Sequence, residues 1–174
     1  MNELDRSVAR LGIYRVSVPV PFLHAGGPAN AWLVEEEGGG LLMIDTGLAA
    51  GEGSAALDAG FQRLGFRHED VRRIVVTHGH VDHFGGARHV QARAGREVPV
   101  LAHPVDAPKL TEGGWVYREH APAYARHLVR LGVPADLADT VMWRSAPAFE
   151  LAPPVARTEP LVEGQLLRGR WVEL

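Results

Sequence analysis

Hydrophobic and polar positions change their rhythm along the chain. Up to about residue 103 short apolar or alternating runs are separated by Gly- and Pro-containing turns, a pattern that predicts strands interleaved with helices. IYRVSV (13–18) is a β-branched run with partial alternation, ended by PVP. NAWLVE (30–35) and LLMID (41–45) flank EEGGG, whose glycines suit a hairpin connection. LLMI is apolar at every position, so that strand is expected to be covered on both faces. Across 54–64, Ala55, Leu57, Phe61 and Leu64 fall near helical spacing, and Gly65 is placed to stop the helix. RRIVV (72–76) predicts a buried strand, 85–94 a helix closed by Gly95, and VPVLAH (98–103) another strand. This order is that of a layered α/β fold.

Beyond 104 the pattern turns helical as far as about 148. YREHAPAYARHLVRLG (117–132) is the clearest segment, with Pro122 and Pro134 as expected breaks. Pro147, Pro153, Pro154 and Pro160 mark an extended connection, and LVEGQLLRGRWVEL (161–174) is expected to form two short strands around Arg168-Gly169-Arg170. No internal repeat or low-complexity tract interrupts this plan.

Length and composition narrow the picture. With 174 residues, 46% apolar and 22% charged, one globular domain is expected. The net charge of −3 and the lack of a basic block argue against a nucleic-acid partner. There is no cysteine, which removes disulfides, thiolate ligands and a cysteine nucleophile. MNELDRSVARLG has no apolar core of a secretory signal, and no run approaches the roughly 18 apolar residues of a membrane span. A cytoplasmic protein is the resulting expectation.

The candidate chemistry lies in VVTHGHVDHFGG (75–86). Three of the nine histidines and one aspartate fall within six residues, after a buried strand and before a Gly-Gly pair. His78 and His80 are two positions apart, so on extended backbone they point the same way, and two converging neutral imidazoles are what zinc and similar ions bind. Asp82 and His83 follow at offsets that can serve a second ion beside the first. Gly79 permits a tight turn, and Gly85-Gly86 lets a helix begin close by. In open α/β sheets ligands gather beyond the strand C-termini, where this loop falls.

THGHVDHFGG is similar to the H-x-H-x-D-H signature of the metallo-β-lactamase superfamily, and NAWLVEEEGGGLLMIDTG resembles that family's first hairpin and its Asp-Thr-Gly turn. The resemblance covers about 13–103. It implies an αββα sandwich, of which this chain would supply the first αβ half, a single domain over 1–174 that is incomplete at its C-terminus and carries a helical insert at 104–148. It implies that His78 and His80 hold one metal, that Asp82 and His83 hold a second, and that Asp45 lies beneath, orienting a ligand histidine. The implied activity is metal-dependent hydrolysis by a metal-bound hydroxide, with Asp82 positioning that nucleophile. The metals would be two zinc ions, or iron or manganese, and the small-molecule substrate an ester, thioester, lactone or related compound. A phosphodiesterase or ribonuclease of the same superfamily is an alternative.

The family's remaining ligands are a histidine in a Gly-His turn, a bridging aspartate and a late histidine. All follow the strands that 161–174 resembles, so the sequence ends before them. Among other candidates, His103 ends a strand, His120 and His127 share a helix face, and His24 sits on a Gly-Pro loop; His68 and His89 read as exposed. Asp106 and Asp136 could replace the bridging carboxylate only by coincidence. A half sandwich would leave apolar strand faces partly uncovered, which predicts a second polypeptide carrying the other half, or a homodimer. A non-catalytic metal-binding or interaction module derived from such an enzyme is the competing function.

Overall fold

In the computed structural model, which describes residues 8–21, 27–140 and 150–170, the alternating runs assemble into one mixed six-stranded sheet in the order β1-β2-β3-β4-β5-β6. The strands are β1 (Ile13–Val18), β2 (Ala29–Glu35), β3 (Leu41–Ile44), β4 (Val71–Val75), β5 (Val100–Ala102) and β6 (Glu159–Pro160). The first three pair antiparallel, and β3 to β6 run parallel. The change of direction follows from connection length: the short Gly-rich turn after β2 permits a hairpin, whereas parallel neighbours need a crossover. α1 (Glu52–Leu64) connects β3 to β4, while α2 (Val81–Phe84) and α3 (Ala87–Ala94) connect β4 to β5. Gly65 and Gly95 end α1 and α3 in the left-handed conformation that glycine adopts at little cost.

Period-two alternation sends side chains to two faces. Val16, Ala31, Leu33, Met43, Ile74 and Val100 belong to the larger core, packed with Leu57 and Phe61 of α1, Phe84 of α2 and Val90 of α3. The other face carries a smaller cluster of Val34, Leu42, Val75 and Leu101, to which the C-terminal segment adds Leu167 and the partly buried Leu161. Leu41, Leu42 and Met43 are all buried, so β3 is covered on both faces as its unbroken apolar run predicts. Trp32 and Ile44, which are register partners on the second face, are only half-buried.

Two expectations require correction. Pro122 lies inside α5 (Gly114–Arg130), the helix that follows α4 (Ala107–Glu112), and does not break it. The ring removes one donor, but Pro122 is exposed, where water can satisfy the carbonyl left without a partner. Residues 161–170 form no strand pair; Gly169 makes an isolated antiparallel bridge to Glu36, and Arg170 N–H donates to the Glu35 carbonyl at 2.6 Å. The strand that does form nearby, β6, includes Pro160, which tolerates an edge position because no further strand among the described residues needs its missing N–H. Residues 141–149, the end of the segment expected to be helical, lie outside the described residues. No helix among the described residues is long and apolar enough to cross a membrane.

α1 packs on β1 through a glycine. A Cβ at Gly60 would meet Val16 Cγ1 at 2.4 Å, and Val16 is fully buried. Overpacking of this kind costs about 1–3 kcal/mol, against at most about 1 kcal/mol gained from alanine's helix propensity. Gly60→Ala is therefore expected to lower the urea midpoint; a raised midpoint would contradict this packing.

At the β1–β2 edge Tyr14 donates its hydroxyl to Glu35 Oε1 at 2.7 Å. Burial, the hydrogen bond and the Glu35 charge push the phenol up to about 12. Because the folded value exceeds the unfolded one of about 10, the stability this group contributes is complete below pH ~10 and is lost as pH rises towards about 12. Absorbance titration should show one of the three tyrosines ionising late, and Tyr14→Phe should remove that late step.

Candidate metal centre

The parallel strands deliver the histidine loop to the C-terminal edge of the sheet. β4 ends at Val75, Val76 N–H donates to Leu101 O at 2.9 Å, and the loop turns into the single-turn helix α2. Next to it, β3 ends in the Asp45-Thr46-Gly47 turn. Asp45 has a positive φ of 53°, a region that Asp enters more readily than most residues.

That turn grips the loop at several points. Thr46 N–H and Oγ1–H both donate to the His83 carbonyl, at 2.7 and 3.0 Å, and Thr46 Oγ1 accepts Gly86 N–H at 3.0 Å. Gly86 must be glycine for this approach, since a Cβ there would lie 2.6 Å from the Thr46 carbonyl oxygen. The Asp45 side chain is buried, 8% exposed, and its carboxylate accepts three hydrogen bonds. These come from Thr77 N–H (2.8 Å), Thr77 Oγ1–H (2.7 Å) and His83 Nδ1–H (2.7 Å).

These bonds set the imidazole tautomers. A carboxylate only accepts, so His83 carries its proton on Nδ1 and leaves Nε2 as the remaining ring nitrogen. The single Thr77 hydroxyl proton goes to Asp45, so Thr77 Oγ1 can only accept at its 3.1 Å contact with His78 Nδ1. His78 then keeps its proton on Nδ1, and its Nε2 lone pair faces His80 Nδ1 at 3.0 Å. One carboxylate thereby orders two histidines, directly and through one threonine.

The predicted residues are brought together. The His78 ring lies 4.0 Å from that of His83 and 4.6 Å from that of His80, centroid to centroid. Asp82 Oδ2 is 3.7 Å from His83 Nε2. His78, Asp82 and His83 are half-buried and His80 is exposed. Burial first, then the neighbouring His83 and His80, holds the His78 imidazole below its ordinary value, which favours its neutral form. The Asp45 hydrogen bond outweighs burial at His83 and lifts that imidazole above its ordinary value, with Asp45 and Asp82 charges adding to it.

The donor types suit a divalent ion, since three imidazoles and a carboxylate share one loop, and the pair His78 Nε2 and His80 Nδ1 lies 3.0 Å apart, although no three of these side chains bring ligand atoms within 4.8 Å of one another. Of the other sequence candidates, His103 is exposed and accepts Val105 N–H at Nδ1, and His120, His127 and Asp136 are exposed. His24 lies outside the described residues.

Asp106 has a role that its position in the sequence did not indicate. It accepts Lys109 Nζ at 2.6 Å and a backbone bond from Gly79, so it braces the turn between His78 and His80. Burial would raise its carboxyl, but Lys109 and Gly79 hold it below the usual carboxylate range. His68 and His89 also depart from expectation. His68 is buried against Phe61, and His89 is half-buried and bonded to Asp58.

Comparison with known proteins gives the family. Residues 24–172 match the model of the metallo-beta-lactamase superfamily, and the chain belongs to that superfamily. It is 28% identical over 138 residues to the probable metallo-hydrolase YqjP of Bacillus subtilis (strain 168), covering 79% of this chain and 41% of that protein. It is 36% identical over 77 residues to an (R)-specific secondary-alkylsulfatase of a Pseudomonas species, covering 44% of this chain and 11% of the sulfatase. A metallo-beta-lactamase family protein of Thermus thermophilus superposes with a TM-score of 0.67 at 25% identity, over 93% of this chain and 50% of that one. A beta-lactamase domain protein of Burkholderia ambifaria shares the fold, with a TM-score of 0.61 at 24% identity over 91% of this chain and 44% of its own. The chain thus has the metallo-β-lactamase fold and spans half or less of the length of these relatives. Membership supports a metallo-hydrolase-like function.

Asp45→Ala would leave Thr77 N–H, Thr77 Oγ1–H and His83 Nδ1–H without their acceptor. The expected cost is about 2–3 kcal/mol of unfolding free energy, read from urea denaturation of the metal-free chain. An unchanged midpoint would show that the carboxylate does not hold the loop.

Proposed function

We propose that this chain is the metal-binding part of a hydrolase acting on an ester-like small molecule, with His78 and His80 holding one divalent ion and Asp82 and His83 contributing to a second. The observation that carries the reading is the orientation of His78 and His83 by Asp45: both rings keep their proton on Nδ1, so their Nε2 atoms remain to serve a cation. The facing pair His78 Nε2 and His80 Nδ1, 3.0 Å apart, shares one proton that a cation would replace. Zinc fits this donor set, as do iron and manganese.

A bound divalent ion supplies acidity to water near neutral pH and polarises the oxygen of the bond under attack. The chain's own residues do the rest. Asp82 accepts a proton from the attacking water and directs its lone pair at the substrate. Asp45 keeps His83 from rotating, and Asp106 with Lys109 keeps the Gly79 backbone in place. Without cysteine, a thiolate nucleophile is excluded in this chain. Carboxylic esters, thioesters and lactones are the proposed substrates, and similarity to a secondary-alkylsulfatase adds sulfate esters to that class.

Zinc titration followed by assays on ester, thioester, lactone and alkyl-sulfate panels tests this. Hydrolysis is expected to vanish with chelator and return with added metal. His80→Ala is expected to weaken loop-bound zinc by more than the roughly 10- to 100-fold typical of losing an outer partner, and to abolish the chelator-sensitive rate. Unchanged zinc affinity in His80→Ala would overturn the assignment. Tight, His80-dependent zinc without turnover on any panel would favour a non-catalytic metal-binding module instead.

A further inference from the structure

A second cluster of metal-binding residue types lies outside the histidine loop. Asp58 on α1, His68 in the 3₁₀ turn His68–Asp70 before β4, and His89 on α3 offer ligand atoms that all lie within 4.8 Å of one another. We infer that these three residues form a separate site for a zinc-class divalent cation, tying α1, the turn and α3 together.

An ion pair accounts for only part of the cluster. His89 Nε2 bonds Asp58 Oδ1 at 2.9 Å, and the Arg93 guanidinium lies 3.3 Å from Asp58 Oδ2. His68 is left over. It is only 6% exposed, and its Nε2 has no hydrogen-bond partner although it lies 3.3 Å from Asp58 Oδ1. A buried ring nitrogen in that state costs about 1–3 kcal/mol unless something else satisfies it.

Packing shows that the nitrogen is held in place. The His68 ring stacks on Phe61 at 4.1 Å and 18°, and meets His89 edge-on at 5.8 Å and 82°. The two nitrogen-to-oxygen separations, 2.9 and 3.3 Å, are close to the ~3.3 Å edge of a tetrahedron with metal–ligand bonds of about 2.05 Å. Two imidazoles and one carboxylate leave a fourth position for water. A cleft of about 530 Å³, lined by Asp58 and His68 among others, gives solvent access.

Charge agrees with this reading. Burial holds the His68 imidazole below its ordinary value, in the neutral form that binds metal. Burial would raise the Asp58 carboxyl, but His89, Arg93 and His68 together hold it down as a carboxylate. Arg93 faces the other carboxylate oxygen and is 57% exposed, so it can swing away without breaking the core.

The test uses the full chain with the loop site disabled by His78→Ala and His80→Ala together, stripped by chelator and titrated with zinc in a calorimeter. One zinc equivalent should still bind, and the melting temperature should rise with zinc. Adding His89→Gln or, separately, Asp58→Asn should weaken that equivalent at least roughly 10- to 100-fold and remove the rise. If the loop variant misfolds by circular dichroism, His89→Gln and Asp58→Asn are made in the parent chain, where each should lower the stoichiometry by one equivalent. No zinc binding by a folded loop variant, or equal binding with and without His89 and Asp58, would overturn the inference. Because the loop is disabled, failure of the loop assignment leaves this result unaffected.

Discussion

The buried carboxylate of Asp45 is the interaction on which the site depends. It lies at the end of a largely buried strand, on backbone with positive φ, and accepts hydrogen bonds from three donors on the neighbouring loop. A buried carboxylate is stable only when its lone pairs are met, so Thr77 and His83 are needed by Asp45 as much as they need it. This mutual requirement fixes the height of the loop above the sheet and the rotation of two imidazoles. The α/β frame supplies the rest: parallel β3 and β4 end side by side, and α2 ends and α3 starts where Gly86 docks on Thr46.

The frame also lets the fold tolerate a polar cluster at its edge. Nearly all large apolar side chains of β1 to β5 on the helical face meet α1, α2 and α3, and form one continuous core. The histidine loop is attached to that core through Val81 and Phe84, buried to 5% and 1% exposure, while Asp82 and His83 between them stay half-exposed. Apolar residues of a single-turn helix therefore anchor it, and its polar residues remain available. The second face is thinner and is partly covered by the C-terminal segment through Leu161 and Leu167.

Much of this was legible in the sequence because each signal was local. β-branched runs, the Gly-rich hairpin and the Gly stops at 65 and 95 depend only on near neighbours. The loop motif was legible too, since a merely solvated turn rarely gathers four metal-binding side chains within six residues. What escaped was set by distant contacts. His68 looks exposed in RHED, but the fold places Phe61 beneath it and Asp58 and His89 beside it. Asp106 becomes a brace for Gly79 only because β5 runs parallel to β4 and brings the two loops together. Pro122 misled for the opposite reason: its penalty is local, and α5 continues through it. Of the two strands expected within 161–174, the described residues up to 170 show only isolated bridging, with Gly169 opposite Glu36.

The central claim is that Asp45 sets the tautomers of His78 and His83 before any metal arrives. Long-range proton–nitrogen NMR correlation of the histidine rings, recorded on the metal-free chain in mildly alkaline solution, tests it most directly. The account predicts Nδ1-protonated rings at both positions, and loss of that preference in Asp45→Asn. Nε2-protonated rings at His78 and His83 would contradict it.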